Sequence, residues 1–462
     1  MRRFMGLRWF TIALIMLGAM VNFLSRQTLS IAAPTVIADL HITTQQYGWI
    51  TSAFQGGIML QPVVGYVIDM LGVKSGFALF AFLWSVICAA HGLAGSWQVL
   101  AGMRGLLGFA EGAFSPGGLK VVSEWFPSKE RGLAGGLYNI GPSLGSMLAP
   151  PLVAWAIYAY SWQMSFVIVG AISLSWVALW LIFYRPVRSH PNLSKEEREY
   201  IISGQEERLQ NEGAKPDIVS VFLMLFAALV VATCLLVNLI TALAILGLGI
   251  LAFLGARQRF RIPTNPIFAQ RNFWGIAIPR FLTDPTWGML SFWVPLYLTT
   301  VRGFDLKQIA LYACLPFLAA DLGCIFGPAV VLFLQKRGVH LIDARRWAFT
   351  LGAVMMIGVA FTGVVQSPLM AVALISLAGF AHQTLSVTMI TMATDLFPRN
   401  EVGTVAGMAG TCANLGILIF TYELGQRVDQ IGYTPVFVLL AVLDIIAAIV
   451  AWTVIRKPVA HA

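Results

Sequence analysis

Two arginines and one glutamate sit where charge is expensive. Arg26, Arg104 and Glu111 each fall inside a long apolar run, and a charge in such surroundings is costly unless it is paired or wet. Each is therefore a candidate for function. A guanidinium stays charged and presents a planar fork of donors, so two of them facing one cavity suit a carboxylate. Glu111 follows Arg104 by seven residues, two helical turns, so the two side chains share a face. A carboxyl away from water favours its neutral form, and a neighbouring Arg favours its charged form. An anion arriving at Arg104 would draw that Arg from Glu111 and leave Glu111 to take a proton. The plain alternatives are an internally paired or snorkelling Arg, and a structural ion pair for Glu111.

Further polar groups lie in later apolar runs. Asp284 and Asp321 are the next acids. Arg280 precedes Asp284 by one turn, so the two can pair, with a second proton role as the alternative. His382 can carry a proton, contact a hydroxyl, or simply be hydrogen-bonded. Asp444, in the last run, reads as structural. Asn139, Gln383, Ser386 and Asn414 supply hydrogen-bonding groups for a polyhydroxylated ligand. Trp287, Trp293 and Tyr297 supply ring surface, or plain packing.

The elements that must hold these groups are membrane helices. Hydrophobic residues make up 58% of the 462 and charged residues 11%, far below an ordinary soluble surface. Apolar runs occur near 9–31, 46–68, 75–95, 97–120, 132–157, 163–184, 218–237, 239–256, 272–300, 308–334, 346–366, 369–393, 402–424 and 434–455. Most are long enough to cross a bilayer as helices. Alternating strand patterns are absent, which excludes a β-barrel. The run after Arg2, Arg3 and Arg8 continues to Ala33 and reads as an uncleaved first helix rather than a leader.

Of the 30 Lys and Arg, 24 fall at ends and loops on the side that carries the N-terminus. That asymmetry predicts a cytoplasmic N-terminus, and it makes the +9 charge a matter of orientation rather than of nucleic-acid binding. The five cysteines form no metal spacing and read as packed thiols. With no nucleophile–base pair, metal set or phosphate loop, neither an enzyme nor a cofactor is expected.

The chain repeats itself. Glu124-Trp125-Phe126-Pro127-Ser128-Lys129-Glu130-Arg131-Gly132 returns as Asp395-Leu396-Phe397-Pro398-Arg399-Asn400-Glu401-Val402-Gly403, an offset of 271 that also relates Ala110 to Ala381, Ser115 to Ser386 and Glu111 to His382. Such repeats build secondary transporters, with the ligand between the halves near the midplane. The expected division is 1–184 for one six-helix bundle, 185–217 for a linker, 218–256 for an extra hairpin and 257–462 for a second bundle. Ser194-Lys195-Glu196-Glu197 fits a capping box and predicts a short helix in the linker. Ile218–Gly255 holds 38 residues without charge, about 57 Å as one helix, so two short spans fit better. They read as a passive insertion, or as a surface for a partner or lipid.

Gly65-Tyr66-Val67-Ile68-Asp69-Met70-Leu71-Gly72-Val73-Lys74 resembles the loop between spans 2 and 3 of the major facilitator superfamily. Asp69 and Lys74 there can pair and latch the cytoplasmic side, as can Glu124, Arg131, Asp395 and Arg399 in the repeated element. Asn22-Phe23-Leu24-Ser25-Arg26, Arg104-x6-Glu111 and Asn139-x-Gly141 resemble the anion:cation symporter branch. Ser123–Pro127, Phe273–Ala277, Pro279–Leu282, Ala320–Cys324 and Gly379–Gln383 look closest to bacterial hexuronate transporters.

The resemblance implies a fold of two six-helix bundles and proton-coupled import of a sugar acid, such as glucuronate or galacturonate, by a monomer in a bacterial inner membrane. Galactonate, glucarate or a small carboxylate is the alternative, and a transporter-like sensor a remote one. It implies that Arg26 and Arg104 attract the anion, that Glu111 couples the proton, and that Asn414 and the aromatics near 287–297 line the sugar site.

Two positions depart from the pattern. Ser25 stands where many members have Asp, as hexuronate-type members also have a hydroxyl there. Gly57 stands where relatives usually have Tyr, so a substrate contact is expected to be missing or replaced.

Overall fold

The computed structural model describes residues 6–127, 130–138, 140–203, 267, 270–397 and 399–457. The 218–256 hairpin and Asn139 lie outside the described residues, and for Asp69, Arg131 and Arg399 only the backbone is described. Every regular element among them is helical. Nine are long and apolar enough to cross a membrane.

Prolines decide where several spans are interrupted. A proline lacks its N–H and its ring collides with the carbonyl four residues earlier. Helix α1 covers Leu7–Asp39. Then α2 (Thr44–Ile58) stops four residues before Pro62, and α3 (Gln61–Leu71) starts beside it. After α4 (Val73–Ala90), α5 (Trp97–Glu111) breaks at Gly112, four before Pro116, and α6 runs Phe114–Trp125. Helix α7 (Arg131–Tyr138) ends four before Pro142, and α8 covers Ile140–Ala159. Trp162–Phe183 is α9 and Lys195–Ser203 is α10. Helix α11 (Arg271–Gly288) passes into a π turn, Met289–Trp293, which contains Ser291, four before Pro295, and continues as α12 (Val294–Thr300). Helix α13 (Leu306–Tyr312) ends four before Pro316, and α14 covers Leu315–Lys336. The last four are α15 (Leu341–Val359), α16 (Pro368–Leu396), α17 (Arg399–Ile431) and α18 (Thr434–Val454). The rule is not universal: Pro34, Pro279, Pro285 and Pro328 lie inside continuous helices.

The chain forms two compact units, Met1–Gly213 with Met289–Leu318, and Ala214–Gly288 with Ala319–Ala462. Grouping thus departs from chain order. Counting the spans without the 218–256 stretch, the seventh is 272–300, and its later part clusters with the first unit, where α12 packs on α1 and α13 on α8. In that unit α1 also packs on α8, α2 on α5, and α4 on α9. A column of rings, Phe77, Trp84, Trp176 and Trp180, fills the space between α4 and α9. In the second unit α11 packs on α16, α17 and α18, and α15 on α16 and α18, around Phe273, Phe349, Leu385, Met389 and Met408.

Small residues bring helix backbones together. A Cβ on Gly57 would fall 2.1 Å from the Gly105 carbonyl oxygen, and one on Gly108 2.1 Å from that of Phe54. Gly57 is therefore the point where α2 meets the backbone of α5. The smaller residue at this departure from the family pattern is explained by packing. Gly57→Ala is expected to lower the thermal stability of the purified protein, by about 1–3 kcal/mol for overpacking of this kind. An unchanged melting temperature in detergent would contradict this. The repeat reappears in the packing: Gly145 abuts the Met20 carbonyl at 2.2 Å and Gly416, its counterpart 271 residues on, abuts that of Phe281 at 2.1 Å, measured from the same hypothetical Cβ.

Candidate functional site

The close approach of α2 to α5 carries Arg104 and Glu111 into the interior of the first unit. Arg104 is 0% exposed and Glu111 1%. Glu111 does not pair with Arg104. Its Oε2 receives Nε of Arg26 at 3.0 Å, and its Oε1 lies 2.5 Å from the Ser25 hydroxyl, which donates to it. Arg104 instead sends Nη2 to the backbone carbonyl of Arg26 at 3.0 Å. Its Nε and Nη1 are buried and have no hydrogen-bond partner among the described residues.

The shared helical face predicted for residues 104 and 111 exists, but α1 supplies the cation. The ion-pair partner of Glu111 is therefore Arg26 rather than Arg104. Both guanidiniums converge on one ring: Arg104 lies 4.8 Å from the Phe54 centroid and Arg26 5.3 Å, with Arg26 also 4.3 Å from Phe23. A ring face attracts a cation without neutralising it, so Arg104 keeps a charge with no ion-pair partner among the described residues, while Arg26 is paired with Glu111.

Sequence reading missed three groups here. Ser25, which departs from the Asp of many family members, is the hydrogen-bond donor to Glu111. Asn22 Oδ1 lies 3.5 Å from Nη2 of Arg26. Phe54 lies under both cations. The motif Asn22–Arg26 held the first two in plain view, since Asn22 is one turn before Arg26. Nothing local to Phe54 identifies it.

In the second unit, Arg280 Nη2 reaches Asp284 Oδ2 at 3.2 Å, the i,i+4 pair expected from the sequence. Asp284 Oδ1 and Arg280 Nε are buried without partners among the described residues. His382 stacks on Trp287, with centroids 5.7 Å apart. Gln383 and Ser386 are half-buried on α16, and Asp321 is half-buried on α14. Asn414 donates to the Gly410 carbonyl of its own helix at 2.9 Å.

The aromatics of the seventh span belong to the first unit beyond residue 288. Trp293 is fully buried, edge-on to Tyr47 at 5.1 Å, and the Tyr47 hydroxyl donates to the Phe292 carbonyl at 2.6 Å. The Tyr297 hydroxyl accepts from Arg302 Nε at 2.7 Å.

A family model described as Major Facilitator Superfamily matches residues 15–421, and again 341–462. The chain belongs to this superfamily. Its major facilitator fold is also that of a bacterial homolog to the human lysosomal transporter Spinster, solved in an inward-facing and unoccupied conformation. The two superpose with TM-score 0.68 at 15% identity, over 98% of this chain and 99% of that one, a likeness of fold alone. Among curated relatives, the Hexuronate transporter of Escherichia coli K12 is 44% identical over 459 residues, covering 99% of this chain and 96% of that protein. The Galacturonate transporter of Dickeya chrysanthemi is 44% identical over 370 residues, covering 80% and 94%. This is a multi-pass membrane transporter rather than an enzyme.

The residues read as a major facilitator latch have partners that spacing did not foretell. Glu124 Oε2 accepts from the Tyr184 hydroxyl at 3.0 Å, and Trp180 Nε1 donates to the Lys74 carbonyl at 3.0 Å. Asp395 pairs with Arg345, which also donates to Thr391 Oγ1 at 2.6 Å. Arg8 bridges Glu130 at 3.0 Å and Glu197 at 2.8 Å. The linker helix α10 starts where expected, with Ser194 Oγ accepting from Glu197 N at 3.1 Å. The other half of the capping box is diverted: Glu197 Oε2 accepts from Leu7 N at 3.0 Å and so caps the start of α1.

Proposed function

We propose that this protein is a proton-coupled symporter that imports a hexuronate anion, such as glucuronate or galacturonate, by alternating access. It would do so as a monomer in the bacterial inner membrane with both termini cytoplasmic. The observation that carries the reading is the buried Arg26–Glu111–Ser25 cluster set against a second, incompletely bonded guanidinium, Arg104. Two relatives 44% identical to this chain, named for hexuronate and galacturonate transport, support the substrate class.

The chemistry is a competition for Arg26. In the absence of anion, Arg26 neutralises Glu111, and Ser25 donates to it. A substrate carboxylate drawn to Arg104 offers Arg26 a second acceptor. As Arg26 turns to it, Glu111 loses its counter-charge, and an uncompensated carboxylate in that setting takes a proton. Anion and proton then cross together, and release of one restores the pair that expels the other. The sugar hydroxyls are left to Asn139, Gln383, Ser386 and Asn414. The latch residues Asp69, Lys74, Glu124, Arg131, Asp395 and Arg399 close the cytoplasmic side.

Specificity is tested by counterflow in vesicles preloaded with labelled glucuronate. External glucuronate and galacturonate are expected to drive exchange, and galactonate and glucarate to do so weakly. Equal exchange with all four would contradict a hexuronate preference. Faster exchange with galactonate or glucarate would move the substrate to the chemistry of relatives that are 24% to 26% identical.

A further inference from the structure

The second unit contains an acid that the site described above does not use. Asp444 lies midway along α18 and is 0% exposed, and both of its carboxylate oxygens are buried without a hydrogen-bond partner among the described residues. An ionised carboxylate so placed loses its hydration and gains no donor in return.

Its depth is set by how α18 meets α11. Asn272 Nδ2 donates to the Arg456 carbonyl at 3.1 Å, Arg456 N donates back to Asn272 Oδ1 at 2.7 Å, and Gly275 abuts Ile455. The two helices therefore run antiparallel from that end. From the Gly275–Ile455 contact, Asp284 is nine residues along α11 and Asp444 eleven along α18, a difference of about 3 Å in helical rise. The two acids therefore sit at nearly one depth on helices that pack together.

The charged groups around Asp444 are few. On α11 they are Arg271 at its start, Asp284, and Arg280, whose Nη2 is engaged with Asp284 Oδ2. On α15 the charges are Asp343, Arg345 and Arg346, all near its first turn, and the Ala360–Gly363 turn has none. On α17 the described charged side chains are Glu423, Arg427 and Asp429, near its far end, with Cys412 facing Arg280. His382 interacts with Asp284 and Arg280 from α16. Arg280 thus serves one carboxylate of two. A carboxyl left without a cation or a donor in an apolar interior favours its protonated form.

We infer that Asp444 carries a proton paired with Asp284 and that this proton is moved with the substrate, making the second unit a further proton site of the transporter. While Arg280 holds Asp284, the proton rests on Asp444. Release of that proton on the cytoplasmic side leaves Asp444 ionised, with Arg280 shared between the two carboxylates, and a proton taken up from outside restores the first state. The inference rests on the proton coupling proposed above.

Two measurements on the purified full-length protein test it. Infrared spectra at neutral pH are expected to show a protonated-carboxyl band that Asp444→Asn removes and Asp444→Glu shifts. A band untouched by both overturns the inference. In vesicles, a gradient of one pH unit supports about tenfold accumulation for each coupled proton. Asp444→Asn is expected to lose about that factor while keeping counterflow within about threefold of the parent. Full gradient-driven accumulation by Asp444→Asn would mean a static proton and overturn the inference. Loss of counterflow would also overturn it, because Asn is the neutral isostere of the protonated acid. A parent protein blind to the pH gradient would instead refute the proton-coupling reading itself, and the infrared band would still decide where the Asp444 proton lies.

Discussion

Replacing Arg104 with alanine is expected to abolish hexuronate uptake at every external pH. Arg104 is fully buried, with one donor on the Arg26 carbonyl and two without protein partners. A carboxylate bound there would gain hydrogen bonds to a charged donor, worth about 1.5–3 kcal/mol each. Losing two of them costs affinity by a factor on the order of a hundred or more. The substitution also removes a charge that steers the anion inward, and it frees the Arg26 carbonyl. Arg104→Lys keeps the charge but not the planar fork, so it is expected to recover only a small part of the activity. Uptake of labelled glucuronate by cells or vesicles reads both variants. Normal uptake by Arg104→Ala would remove the carboxylate role from this residue.

The second large effect is expected at Glu111. Glutamine at 111 keeps the shape and the hydrogen-bonding capacity toward Ser25, and removes both the charge and the proton. Arg26 is then released from its ion pair. Substrate exchange at equal pH on both sides should persist, because exchange needs no net proton movement. Accumulation under an imposed pH difference should fall by about the tenfold per pH unit that one coupled proton supports. The split between the two assays is what separates a proton-carrying acid from a structural one. A structural Glu111 would lose both together or neither. Ser25→Ala is expected to change the pH dependence of uptake while leaving transport measurable, since it deletes a donor to Glu111 and leaves the ion pair.

Much of this site was legible before any coordinates, and the reasons are local. Charges inside apolar runs stand out because the membrane makes them costly, and Arg26, Arg104, Glu111, Arg280 and Asp284 all announced themselves in that way. The Arg280–Asp284 pair followed from i,i+4 spacing alone. The helix contacts at Gly145 and Gly416 stand at the same offset of 271 as the sequence repeat. Pairings across helices were not legible. That Glu111 meets Arg26 rather than Arg104 depends on the rotation of α1 about its axis, which no spacing within α5 encodes. Gly57 departs from the Tyr of the family pattern because α2 and α5 touch there backbone to backbone, a contact that no pattern within α2 encodes. Asp444 looked structural because no cation stands near it in sequence, and its significance appears only when α18 is laid against α11.

The central claim is that sugar-acid movement and proton movement are one process with Glu111 in it. Its most direct test is uptake of labelled glucuronate by purified protein in vesicles, with and without an imposed inward proton gradient, for the parent chain and Glu111→Gln. The account predicts the largest accumulation for the parent chain with the gradient, about tenfold less per pH unit for Glu111→Gln with the gradient, and equilibration for both without it. Equal accumulation by Glu111→Gln under the gradient, or gradient-independent uptake by the parent chain, would contradict it.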